Sequence, residues 1–137
     1  MIEYIINNTS GCLVFQDGIS MQHSKTNLSV VKQLCMKNLF TYEGYLKSVR
    51  YLFDKHYLIP VYVNETLMLI PTKRVRDYEN IWINFMAIED IQKTEYGTCI
   101  LFFSKIKLNV NLKIETLQKQ IQYLKEIRNH KVKHFHF

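Results

Sequence analysis

Residues 57–71 are YLIPVYVNETLMLIP, a dense run of β-branched, aromatic and other apolar side chains. Two apolar stretches, 57–63 and 66–70, are parted by Asn64 and Glu65, a polar pair typical of a tight turn. The pattern predicts a β-hairpin that ends at Pro71, because proline has no N–H to donate to a sheet. An isolated hairpin is barely stable in water, so this one requires further strands or a helix to cover it.

Further strands are predicted on both sides of the hairpin. Turn-forming residues separate short apolar stretches, and Asp17-Gly18 in particular predicts a hairpin turn. The predicted strands cover residues 3–7, 12–16, 81–91 and 98–103. The clearest alternation of apolar and polar residues runs from Ile106 to Ile114, which predicts a strand with one buried face and one basic, polar face.

Apolar residues three and four apart predict three helices. The first begins near Asn27, a plausible N-cap, and reaches about Leu39. The second covers residues 44–56 and has a basic outer side, and the third covers residues 115–128. Strands, helices, several antiparallel strands and a closing helix make up an α+β fold, a mainly antiparallel sheet with two or three amphipathic helices.

Length and composition favour one domain over residues 1–137. The chain is 47% hydrophobic and contains only four glycines and two prolines, which excludes a disordered or low-complexity protein. No apolar stretch approaches the ~20 residues that a membrane-spanning helix needs, and no signal peptide is recognisable. We therefore expect a cytoplasmic protein with no membrane contact. Residues 131–137 stay open between a final strand and a frayed end.

Catalytic and metal-binding patterns are weak. The three cysteines lie in apolar runs without a zinc-ligand spacing, and no glycine-rich phosphate loop occurs. Cys35 with His56 as a nucleophile and base is disfavoured, because Cys35 belongs to an apolar helical stripe. His130 and His134, one helical turn apart, could bind a metal with His136, but a basic aromatic tail explains them better. We expect no enzyme activity, no metal and no cofactor.

Charge gives the first functional indication. Residues 1–22 contain two acidic residues and no basic one, whereas the rest of the chain contains eighteen Lys and Arg against ten Asp and Glu. Lys73, Arg74 and Arg76 follow the hairpin directly, between two segments that must be core. A loop held at both ends can present these cations to phosphates with little entropic loss. The alternative is a solvated turn balanced by Asp77 and Glu79, and the residues alone weigh both about evenly.

Four motifs follow one another along the chain: Cys35 with Tyr42-x-Gly44, Ile59-Pro60-Val61, Leu69-Ile70-Pro71-Thr72, and Ile81-Trp82-Ile83. In order and spacing they resemble the ComK family of competence transcription factors. The resemblance covers residues 11–128 and extends to a strand from Cys99 to Phe103 and the closing helix. Residues 82–112 also bear a looser likeness to LytTR-type DNA-binding domains.

The resemblance implies a transcriptional activator that binds A/T-rich promoter boxes as a dimer or higher homo-oligomer, mainly through the minor groove. Narrow A-tract minor grooves attract inserted arginines, so Arg74 and Arg76 would read the DNA. Lys73, Lys47 and Arg50 would hold phosphates without reading bases. The resemblance also implies an adaptor for proteolytic control as a further partner.

Two alternatives remain beside this hypothesis. The resemblance puts an arginine at the position of Tyr45, and longer relatives continue past the last helix. A regulator of the same family that acts as a protein-binding adaptor and no longer binds DNA is therefore the main rival. An enzyme is the third reading and would require a deep pocket with a perturbed Cys or His.

Overall fold

Three helices and two antiparallel sheets make up residues 1–135, the part of the chain described by this computed structural model. The strands are β1 Ile2–Asn8, β2 Gly11–Gln16, β3 Ile19–His23, β4 Val61–Asn64, β5 Leu67–Pro71, β6 Ile81–Asn84, β7 Ile88–Thr94, β8 Gly97–Phe102 and β9 Lys107–Val110. The helices are α1 Asn27–Lys37, α2 Tyr42–Phe53 and α3 Ile114–Phe135. This arrangement confirms the α+β class expected from the sequence.

The larger sheet has six strands in the order β3-β2-β1-β6-β5-β4. Neighbouring strands in sequence pair as hairpins, as β1 does with β2 and β5 with β6. The pairing of β1 with β6 is different, because it joins strands some 75 residues apart, with Ile5 opposite Trp82. This single pairing unites the two halves of the sheet. The hairpin of β4 and β5, predicted from residues 57–71, is confirmed.

Strand β6 lies at the centre of the molecule and is bounded by two fully buried asparagines, Asn80 and Asn84. Between them the Trp82 side chain is also fully buried and meets the Tyr42 ring edge-on at 6.3 Å. The Asn84 amide nitrogen donates to the carbonyl oxygens of Ile2, at 2.7 Å, and Thr66, at 3.0 Å. Its oxygen accepts from the backbone N–H groups of two further residues, Met68 and Met86. One side chain thus holds four separate backbone groups.

Asn84 also explains why one sequence prediction was wrong. Residues 81–91 were expected to form one strand, but β6 ends at Asn84 and a 3-10 turn, Phe85–Ala87, follows. The Asn84 side chain accepts the Met86 N–H and so caps this turn. The chain then enters β7, which belongs to the separate three-stranded sheet β7-β8-β9. Apolar periodicity alone cannot show such a change of sheet.

Other boundaries moved by a few residues. The N-cap of α1 is Thr26, whose hydroxyl accepts from the Ser29 N–H, while Asn27 is the first helical residue and is buried. Helix α2 ends at Asp54 in the left-handed conformation, with φ of 51°, rather than at residue 56. The alternating stretch from Ile106 yields only the short strand β9, and α3 starts at its last residue, Ile114.

The six-stranded sheet is covered on both faces. Helix α1 contacts β1 and β2 on one face. On the other face Tyr4 stacks on Phe15, at 4.3 Å between ring centroids, and on Phe102 of β8, at 5.6 Å. Because successive side chains of a strand point to opposite faces, Ile5 turns toward the helices and Tyr4 toward the second sheet.

Helix α3 packs on β4, β5 and β7 and so bridges the two sheets. Arg128 forms two hydrogen bonds of 3.0 Å with the Glu65 carboxylate in the β4–β5 turn. One turn later, the Lys131 amine lies over the rings of Phe40, Tyr45 and Tyr62. Residues 131–135 are therefore helical, and 136–137 lie outside the described residues. No helix of the described chain is both long and apolar enough to cross a membrane.

The four bonds of Asn84 lead to a stability prediction. Replacing Asn84 with Ala leaves four backbone groups without their partner, so the free energy of unfolding should fall by about 2–4 kcal/mol. Asn109→Ala, at an exposed position of β9, is the matched control and should change it by less than ~0.5 kcal/mol. Urea unfolding measures both, and equal losses would contradict the role given to Asn84.

Candidate nucleic-acid interface

The loop between β5 and β6 has a rigid base. Its first residue, Thr72, donates its N–H to the Ile81 carbonyl at 3.1 Å, and the Thr72 hydroxyl accepts the Ile81 N–H at 3.0 Å. The Asn80 side-chain oxygen accepts the N–H groups of Thr72 and Lys73, both at 2.9 Å. The prediction that sheet strands hold both ends of this loop is confirmed, since Pro71 pairs with Trp82.

The loop is also anchored from the side. The Asn27 amide nitrogen, at the start of α1, donates to the Asn80 carbonyl at 2.6 Å. Asn7 of β1 donates to the Tyr78 carbonyl at 3.0 Å and accepts the Asn27 N–H at 2.8 Å. These bonds connect the loop to both a strand and a helix. Its backbone is therefore held in place before any ligand binds.

The three cations of the loop differ in their surroundings. Lys73 is partly buried, and its amine forms an ion pair of 2.9 Å with Glu79. Val75 packs against the core, and its neighbours Arg74 and Arg76 are exposed. Within residues 1–135 neither arginine has an ion-pair partner. The two guanidinium groups are thus the charges that this loop displays to solvent.

Helix α2 supplies further cations. The Thr41 hydroxyl caps it by accepting the Gly44 N–H at 3.1 Å, and a Cβ at Gly44 would lie only 2.7 Å from that oxygen. Tyr42, Tyr45 and Val49 form the buried face. With about 100° between successive residues, Glu43, Lys47 and Arg50 lie together on one flank of the helix, and all three are exposed. Glycine at 44 is required by the cap, as expected for a scaffold position.

Arg76 of the loop lies beside this flank. Burial raises the pKa of the Tyr42 phenol to about 12, and the positive charges of Arg50 and Arg76 oppose that rise. A hydrogen bond from Lys32 lowers the pKa of the Glu43 carboxyl, and the charge of Arg76 lowers it further. Both arginines are therefore close to the first turn of α2. The fold brings together two segments that the sequence analysis had named separately.

We call the resulting surface the basic patch: Lys32, Lys47, Arg50, Arg74 and Arg76. Lys32, on α1, forms an ion pair of 2.9 Å with Glu43. Sequence reasoning missed this lysine, because only the packing of α1 against α2 brings it here. Glu43 is the acidic residue inside the patch, and it is already paired.

Tyr45 lies on the opposite, buried side of α2. Its hydroxyl donates to the Pro60 carbonyl at 2.6 Å and accepts the Tyr62 N–H at 3.1 Å. Burial raises its pKa far above the ordinary value. Position 45 thus fastens α2 to β4 and does not belong to the exposed flank. The tyrosine at this position removes no charge from the basic patch of this chain.

Catalytic and metal-binding readings find little in the geometry. Burial raises the pKa of the Cys35 thiol to about 11, so it is protonated near neutral pH. His56 is exposed, 3.4 Å from Asp54. The His130 ring packs edge-on against Phe53, and the side chains of residues 134 and 136 lie outside the described part. Among described side chains no cluster of three or more His, Cys, Asp or Glu could hold a metal ion.

The family model of the ComK protein matches residues 3–133 of this 137-residue chain. The chain therefore belongs to the ComK family, and its general role is that of a competence transcription factor rather than an enzyme. Neither a curated protein nor a solved structure matches it.

The bracing of the loop can be tested by hydrogen exchange. Asn80→Ala removes the acceptor of the Lys73 N–H, so the exchange of this amide should accelerate at least about tenfold. The exposed Asn111→Ala is the control and should leave that rate unchanged. An unaltered Lys73 rate in Asn80→Ala would show that the loop is held by other contacts.

Proposed function

We propose that this protein is a transcriptional activator that binds A/T-rich promoter boxes of double-stranded DNA, mainly through the minor groove. The observation that carries the proposal is the display of Arg74 and Arg76 on a loop whose base is locked by Asn80. Membership of the ComK family supports the general role. The DNA contacts described below are the proposal itself.

Physical reasons favour the minor groove for the two arginines. Runs of A·T pairs narrow this groove and strengthen its negative potential, which attracts guanidinium groups without a base-specific hydrogen-bond pattern. Arg74 and Arg76 are two residues apart on a short loop, so both can enter one groove. Because the loop is ordered beforehand, little backbone entropy is lost on binding.

The remaining cations of the basic patch would contact phosphates. Lys47 and Arg50 on α2, with Lys32 on α1, flank the loop and can neutralise the backbone beside the groove. Lys73 can contribute only by exchanging Glu79 for a phosphate, one ion pair for another. We therefore expect Lys73 to add less affinity than Arg74 or Arg76.

The partners follow from the same proposal. The protein would act in the cytoplasm as a homo-oligomer, because two copies read a longer site than one and gain affinity from being linked. An adaptor for proteolytic control is a further proposed partner, in keeping with the family.

A second candidate function rests on the outer side of α2. Lys47, Ser48, Tyr51 and Leu52 line a mainly apolar depression there, and the Tyr51 side chain is 82% exposed. Exposed aromatic side chains next to a groove are typical of protein-binding surfaces. A regulator that binds another protein through this depression, without contacting DNA, is therefore the alternative. Failure to bind any duplex at low salt would favour it.

The arginine assignment is tested by a charge-matched pair of double variants. Arg74→Ala with Arg76→Ala should weaken binding to an A/T-rich duplex by at least about tenfold and to a G/C-rich duplex much less. Lys93→Ala with Lys119→Ala removes the same charge from exposed positions outside the patch and should have little effect. Gel shifts measure both. Equal weakening by the two double variants would refute the assignment.

Phosphate contacts predict a strong dependence on salt. If two copies neutralise about six phosphates, affinity should fall by roughly three orders of magnitude between ~50 and ~200 mM salt. Lys47→Ala should weaken binding to all sequences alike and flatten this dependence. A flat salt profile of the unaltered protein would speak against the basic patch as the contact surface.

The groove can be identified by base replacement. An I·C pair presents the minor-groove edge of A·T, because it lacks the guanine amino group, but the major-groove edge of G·C. Replacing A·T pairs with I·C should therefore preserve most of the affinity if Arg74 and Arg76 enter the minor groove. Loss of binding to the level of a G/C-rich duplex would locate the contacts in the major groove instead.

A further inference from the structure

The two edges of the six-stranded sheet differ. Strand β4, at one edge, is almost entirely buried, and α3 packs against it. Strand β3, at the other edge, is exposed along Ile19–Gln22, and the side chains of Ile19 and Met21 are 69% and 56% accessible. An edge strand with accessible backbone groups is a template for pairing with another strand.

The usual protections of such an edge are missing from β3. Ile19–His23 contains no Lys, Arg, Asp, Glu or Pro, and β3 pairs with β2 over five positions without a bulge. The edge strand β7 of the smaller sheet, by contrast, contains Glu89, Asp90 and Lys93 and has an irregular register. The exposure of β3 is thus specific to this edge.

The turn before β3 determines which backbone groups face outward. Asp17 and Gly18 both have positive φ, 53° and 80°, as in a type I′ turn, and Gln16 pairs with Ile19. In such a hairpin the residues beside the turn form a hydrogen-bonded pair, and bonded pairs then alternate along the ladder. Met21 therefore bonds to β2, while the N–H and C=O groups of Ser20 and Gln22 point away from the sheet.

The side chains leave this edge accessible. Gln22 folds back onto Asn8, with reciprocal hydrogen bonds of 2.6 and 3.2 Å between the two amides. Ile19 and Met21 lie on the same face as Val14, since cross-strand partners share a face. This is the face that α1 covers further inside the sheet. The apolar face thus continues to the edge, past the cover of the helix.

We propose that β3 pairs with β3 of a second copy of this chain, antiparallel, about a two-fold axis at Met21. In this register Ser20 lies opposite Gln22 of the other copy, and the two such pairs form four backbone hydrogen bonds. Met21 meets its own counterpart in a non-hydrogen-bonded pair. The result is a continuous sheet of twelve strands, twice the six of one chain.

A second copy fits this edge better than an unrelated strand for two reasons. The outward groups of Ser20 and Gln22 are complementary to themselves under the two-fold axis, as an isologous interface requires. The same register brings Asp17 of one copy toward Lys25 of the other, and both side chains are exposed and opposite in charge. Two matching contacts thus follow from one axis.

The dimer would also suit the proposed function, on which this one step rests. The β5–β6 loop lies about four strand spacings, roughly 19 Å, from the axis, so the two loops are ~38 Å apart across the strands. One turn of B-DNA is ~34–36 Å. The axis passes through the sheet and leaves both basic patches on the same side. Two A/T-rich boxes about one turn apart are the site that such a dimer would fit.

The interface is tested without DNA by sedimentation of the full chain. Met21→Lys places two lysines against each other at the axis and should raise the dissociation constant of the dimer at least about tenfold. Met36→Lys is the matched control, because Met36 is 62% exposed on α1 and receives the same charge. Circular dichroism verifies that both variants fold. An unaltered dimer in Met21→Lys, or a monomer for the native chain up to ~100 μM, would overturn the proposal.

Cross-linking gives a second, positive readout. Opposed residues in a non-hydrogen-bonded pair have Cα atoms ~4.5 Å apart, within disulfide range. In a Cys99→Ser background, Met21→Cys should form a covalent dimer under mild oxidation and Met36→Cys should not, since Cys12 and Cys35 are buried. Equal cross-linking of both would contradict the interface. A monomer that still binds a single A/T-rich box would refute the dimer and leave the proposed function intact.

Discussion

The central constraint of this structure is the burial of strand β6 between two asparagines. Asn80 and Asn84 have no exposed surface, and their side chains together hold backbone groups from β1, β5 and the loops on either side. A buried amide is costly unless its hydrogen bonds are made, so this arrangement admits one register of β6 against its neighbours. The pairing of β1 with β6, which joins the halves of the sheet, depends on that register.

The same constraint positions the charges that the function needs. Asn80 closes the loop that displays Arg74 and Arg76, and its carbonyl is held by Asn27 at the start of α1. Since α1 also carries Lys32, which reaches Glu43 on α2, the loop and both helices are coupled through short contacts. Residues 1–22, which form β1 and β2 and most of β3, contain no Lys or Arg. Basic charge therefore gathers around the helices and the loop, while the β3 edge stays uncharged and available for pairing.

Several functional residues could be named before the fold was known. Lys73, Arg74 and Arg76 stood out because a polar, cationic run followed a strand directly, and the loop predicted there is present. The sequence could not show that Lys73 is paired with Glu79 or that Arg76 lies beside α2. The arginine that the family resemblance placed at position 45 also seemed a missing contact until Tyr45 was found in the core, bonded to Pro60 and Tyr62.

The sequence by itself determined what depends on neighbours along the chain: the α+β class, the hairpin of β4 and β5, the Asp17-Gly18 turn and the existence of three helices. These follow from local propensity and periodicity, which act over a few residues. Only the tertiary structure decided the division into two sheets at Asn84, the gathering of the basic patch and the open edge at β3. Each of these depends on which distant segments share buried surface and hydrogen bonds, and no local pattern encodes that choice.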